Sequence, residues 1–71
     1  MTVGEMLQYT NRLKEILSSH APVAIKDRRL ANLMNDLEQA YEIPALRNKN
    51  FEKQHPFVMQ LYKTVSEARS L

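Results

Sequence analysis

The chain is predicted to be all-α, a small three-helix bundle or a helical hairpin with a third helix laid across it, and open to completion by dimerisation. Three observations predict this. Apolar residues recur every three or four positions through three stretches, without the two-residue alternation of a strand. Pro22, Pro44 and Pro56 separate those stretches, and the single Gly lies near the start. The clearest stretch, Leu30 to Tyr41, carries Leu30, Leu33, Met34, Leu37, Ala40 and Tyr41 at helical spacing and stops at Ile43-Pro44. Helices are expected over about residues 3–19, 24–42 and 56–69 of a single domain, residues 1–71.

The first helix opens with a capping box. Thr2 stands three residues before Glu5, so its hydroxyl is placed to accept the Glu5 amide while the carboxylate reaches back to the Thr2 amide. Val3, Met6, Leu7, Tyr9, Leu13, Ile16 and Leu17 then spread over roughly half of the helix surface at about 100° per residue. That is wider than a two-helix seam requires. This helix is expected to touch two neighbours, or one neighbour and a second chain.

The second helix starts either near Pro22, which the first turn tolerates, or at Asp27, with Asp27 as N-cap and Val23 and Ile25 left in a loop against the core. Its apolar stripe covers about a third of the cylinder, the width expected for one packing partner. Arg28, Asn32, Asn35, Asp36, Glu38 and Gln39 are assigned to its outer face. Pro44 disfavours helical geometry at Ile43 and ends the run.

Residues 44–55 are the least regular. Asn50 is a candidate cap for a short turn over residues 51–54, and Ile43, Leu46 and Phe51 are expected to pin this loop to the bundle. The third helix begins with Pro56 at its favoured first position and carries Phe57, Val58, Leu61, Tyr62, Val65 and Ala68 as its stripe. Met59 falls off that stripe.

Length and composition narrow the function. A chain of 71 residues is near the lower limit for independent folding, and with no Cys it has neither a disulfide nor a thiolate zinc site as a staple. Self-association is the expected alternative. No signal-peptide pattern is visible at the N-terminus, and no apolar segment approaches the roughly 20 residues of a membrane span. A cytoplasmic protein without membrane contact is expected.

Little points to chemistry. There is no nucleophile elbow and no Gly-rich phosphate loop. Glu38 and Glu42 sit four apart on a predicted solvent face and do not make a perturbed acid–base pair. Glu52 and His55 have the Glu-x-x-His spacing of di-iron bundles, but that chemistry needs two such pairs and further carboxylates. His20 and His55 both flank helix ends, where solvated or capping roles suffice. No enzyme activity, metal or cofactor is expected.

The function expected is therefore a small non-enzymatic protein–protein interaction or regulatory protein, acting on a protein partner or as a homodimer. Leu7, Tyr9, Ile16 and Met59 are the candidate partner-binding residues. The tyrosines, Tyr9, Tyr41 and Tyr62, lie at stripe edges that suit a core rim or an interface. The alternative is a nucleic-acid accessory protein. Lys26, Arg28 and Arg29 open the second helix, where amides can add to a phosphate contact, and Arg47, Lys49 and Lys53 surround Phe51, which is able to stack on a base. It is the less favoured reading. The net charge is only +2, basic residues are mixed with carboxylates, and the linkers are long for a helix-turn-helix.

Overall fold

The computed structural model describes residues 1–46 and 48–69. Thr2 caps α1 (Val3–Ser18), its Oγ1 accepting the Glu5 amide at 3.1 Å as the capping box requires. The Thr2 hydroxyl in turn donates to Glu5 Oε1 at 3.1 Å. At the other end Ser18 Oγ donates back to the Lys14 carbonyl, and Lys26 Nζ reaches across from the next helix to the Leu17 carbonyl at 3.4 Å. α1 has no basic residue in its own last turn, so Lys26 supplies the positive charge that its C-terminal carbonyls favour.

α2 (Val23–Tyr41) starts at once after Pro22, whose carbonyl accepts the amides of Ile25 and Lys26, both at 3.0 Å. Val23 and Ile25 are thus helical, and Asp27 is not the cap. The helix closes on Glu42, which takes the left-handed conformation with φ 52°. The Ile43 amide donates to the Glu38 carbonyl at 3.2 Å, the long bond of a Schellman ending.

α3 (Lys49–Gln54) is a short helix capped by Asn48, whose Oδ1 accepts the Phe51 amide at 3.0 Å. The cap is Asn48 rather than Asn50 because Asn48 stands just before the first helical residue, where its side chain reaches the Phe51 amide three residues on; Asn50 is already inside the turn. α4 (Pro56–Ala68) follows directly, with Pro56 in the first turn. His55 ends one helix and begins the other, and its ring lies 4.6 Å from that of Phe51. Among the described residues there are four helices and no strand, so the all-α expectation holds.

α2 is the central helix. It packs on α1 along one flank and on α4 along the other, while α3 packs on α4. Both pairings run antiparallel. Tyr41 meets Glu5 and Lys26 meets Leu17, so numbers fall along α1 as they rise along α2; Met34 meets Arg69 and Glu38 meets Tyr62 in the same reversed sense. The core is purely aliphatic: Leu13 and Ile16 of α1, Leu30, Leu33 and Leu37 of α2, Leu61 and Val65 of α4. Val58 is buried apart from that cluster.

These contacts correct the expected role of the second helix. The narrow stripe of α2 predicted one partner, yet α2 has two; the wide stripe of α1 allowed two neighbours or one, and within the chain α1 packs chiefly on one, α2. The reason lies in the polar flanks of α2. Asp36 and Glu38 were expected in solvent. Instead Asp36 Oδ2 accepts from Arg12 Nη1 at 2.6 Å and Glu38 Oε1 accepts from the Tyr62 hydroxyl. Polar side chains at the edges of the stripe thus widen the packed surface of α2 without adding apolar residues. Glu42, placed with Glu38 on a solvent face by its spacing, has left the helix.

Candidate interaction surface

On α1 the apolar face divides into two parallel seams. Met6, Tyr9, Leu13 and Ile16 advance by three, four and three residues, the step of a helix–helix seam, and Tyr9, Leu13 and Ile16 of that row join the core. Leu13 and Ile16 are buried, and Tyr9 meets the ring of Tyr41 edge-on at 5.9 Å and 70°. The second seam, Val3, Leu7, Thr10, Lys14 and Leu17, advances by four, three, four and three. It lies beside the first on the helix cylinder and is open to solvent: Val3 is 70% exposed, Leu7 57% and Leu17 48%.

The predicted partner residues therefore separate. Leu7 is on the open seam. Tyr9 is half-buried on the inner seam, a core-rim residue. Ile16, only 6% exposed, is a correction: its side chain is spent within the chain, because its position on the helix points at α2 rather than away from it. Met59 belongs to another surface. It is half-buried between two adjoining grooves on the α3–α4 side, of 620 Å³ and 230 Å³, which share Glu52, Met59 and Tyr62. Val3 and Leu17 were not among the predicted partner residues, although the four-three step counted outward from Leu7 reaches both.

Other apolar expectations are adjusted at the rim. Ile43 packs against the core, whereas Phe51 lies against His55 at the end of its own short helix and Leu46 is exposed. Phe57 and Ala40 lie at the exposed margins of their stripes.

The basic residues are not brought together. Lys26, Arg28 and Arg29 occupy the start of α2, and Lys49 and Lys53 follow its far end, about 20 Å away along the helix axis at 1.5 Å per residue. Arg47 lies outside the described residues. Lys26 is already engaged with the Leu17 carbonyl.

The titratable groups with displaced equilibria are bracing groups. The Tyr41 hydroxyl donates to Glu5 Oε2, joining α2 to α1, and that bond, with those from Thr2, holds the Glu5 carboxyl below its ordinary range. Burial, then the bond to Glu5, pushes the Tyr41 phenol upward. Burial, then the bond to Glu38, raises Tyr62 to about 12. His20 is exposed in the connection between α1 and α2, and His55 is held at the α3–α4 junction. Among the described residues no three His, Cys, Asp or Glu side chains gather as a metal site would require, and no helix is long and apolar enough to cross a membrane.

No family model matches this chain, and neither a curated protein nor a solved structure matches it.

Proposed function

We propose that this protein acts by protein–protein contact, as a small non-enzymatic interaction or regulatory protein whose working surface is the outer seam of α1. The observation that carries this reading is the exposure of Val3, Leu7 and Leu17 on one edge of a helix whose other edge is already filled. Val3 and Leu7 adjoin at one end of that edge and Leu17 lies at the other, beyond Thr10 and Lys14; exposed aliphatic side chains aligned on one helix edge support a contact site better than singly scattered ones. The basic residues offer no comparable alignment.

A photo-activatable cross-linking residue at Leu7, introduced into the protein in its native host, tests the reading. Irradiation is expected to yield a discrete protein adduct there and none from the same residue at Gln60, an exposed polar position of α4. Absence of any adduct at Leu7, or equal adducts at both positions, overturns it.

A further inference from the structure

The side chains that brace α2 against its flanks find oxygen acceptors, with one exception. Arg69, the residue that closes α4, donates from Nη1 to the sulfur of Met34 at 3.7 Å. Met34 and Glu38 stand one turn apart on α2, so this contact and the Tyr62 bond are successive steps of the same α2–α4 seam. A thioether is a weak acceptor, whereas a guanidinium carries five N–H donors. Arg69 is half-buried, and its Nε is buried with no hydrogen-bond partner among the described residues. The end of α4 is therefore held by a cation whose acceptor is poor.

We propose that Met34 is a site of reversible oxidation, and that its sulfoxide oxygen accepts from the Arg69 guanidinium and fastens the end of α4 to α2. Met34 packs against the core but is only half-buried. The oxidant is a hydroperoxide, in the simplest case hydrogen peroxide. The sulfur lone pair attacks one peroxide oxygen; the S–O bond forms as the O–O bond breaks. The proton on the transferred oxygen passes to the departing hydroxide, and water leaves. Sulfur gives up two electrons and the peroxide takes them. A thiol-dependent sulfoxide reductase reverses the step, supplying two electrons and releasing the oxygen as water.

Oxidation of a packed methionine ordinarily disrupts its surroundings, because a polar oxygen is set among apolar groups without a donor. At Met34 the donor is already in place. An oxygen added to sulfur shortens the gap to Nη1 into ordinary hydrogen-bond range, and a charged donor makes that bond a strong one. Methionine has three rotatable bonds, so the oxygen can turn to the guanidinium whichever lone pair reacts. The chain has four methionines, and Met34 is the one whose sulfur meets a donor among the described residues.

The test uses a Met6→Leu/Met59→Leu chain, in which Met34 is the one internal sulfur. Hydrogen peroxide is added, sulfoxide at Met34 is read by mass spectrometry, and amide exchange is followed over residues 66–68, the last turn of α4. Exchange there is expected to slow several-fold on oxidation and to return to its starting rate after treatment with a methionine sulfoxide reductase. With Arg69→Leu added, the same oxidation is expected to leave exchange unchanged or to quicken it. Met34→Gln, whose amide oxygen lies near the sulfoxide position, is expected to slow exchange without peroxide, and to do so only while Arg69 is present. Met34 left unoxidised by excess peroxide overturns the proposal. So does exchange that fails to slow on oxidation with Arg69 present, or that slows equally in the Arg69→Leu chain.

Discussion

The Tyr62 hydroxyl of α4 donates to the Glu38 carboxylate of α2, while the Glu38 backbone carbonyl accepts the amide bonds that end α2. One residue thereby terminates the central helix and braces it against a flank. The other flank is held in the same manner by the Tyr41 hydroxyl on Glu5 and by Arg12 on Asp36. These polar clasps line the edges of an aliphatic core, where each half-buried hydroxyl finds an acceptor and each bond joins the helix pair that supplies it.

Stability is expected to fall at alkaline pH. Tyr62, raised to about 12, keeps its proton in the folded chain where the unfolded phenol, near 10, has lost it. Its contribution is full below about pH 10 and is lost as pH rises through about 12. Tyr41 is shifted in the same direction. Urea unfolding of the Tyr41→Phe/Tyr62→Phe chain between about pH 9 and pH 12 is expected to show a shallower decline than the parent. An equally steep decline in both would remove the phenols as its cause.

At the acid end the sign reverses. Glu5 is depressed, first by the Tyr41 hydroxyl and then by Thr2, so its contribution is present above the ordinary carboxyl pKa and disappears as pH falls through the lowered value. Glu5→Gln is expected to reduce the loss of stability on acidification, read from urea midpoints across the acid range.

The two seams of α1 and the centre of α2 predict a contrast. Leu33 and Leu37 have no exposed surface, and truncating either to Ala is expected to cost about 2–5 kcal/mol, enough to unfold much of a domain this small. Leu7→Ala is expected to change monomer stability by no more than about 0.5 kcal/mol. Chemical denaturation at concentrations low enough to exclude association measures both.

Glu42 is the one non-glycine residue with positive φ among those described. Glu42→Gly relieves the contact of its Cβ with the backbone and is expected to stabilise the chain by about 0.5–1 kcal/mol, a rise in thermal midpoint of several degrees. Unchanged or lower stability would show that the turn holds Glu42 without strain.

Asn48→Ala is expected to cost about 1 kcal/mol at α3 and to speed amide exchange at Phe51, whereas Asn50→Ala is expected to leave that amide protected. Hydrogen exchange at Phe51 separates the two caps directly.

Three of the four helices were legible because local signals specify them. The Thr2–Glu5 box, the Leu30–Tyr41 periodicity and Pro56 each act within one or two turns, so spacing along the chain suffices to read them. α3 was visible only as a capped turn, since six residues are too few to show a period. Of the predicted partner residues, Leu7 lies where expected and Ile16 does not. Periodicity says that a residue belongs to an apolar face, not which neighbour the face meets.

Local periodicity and capping therefore determined that this is a chain of helices with an aliphatic core, because backbone hydrogen bonding and side-chain spacing are properties of consecutive residues. Tertiary structure alone decided that α2, with the narrower stripe, is the central helix, and that the outer seam of α1 is left open. Those outcomes depend on long-range pairs, Arg12 with Asp36, Tyr41 with Glu5 and Tyr62 with Glu38. Their partners are 24 to 36 residues apart, and no spacing rule along the chain connects them.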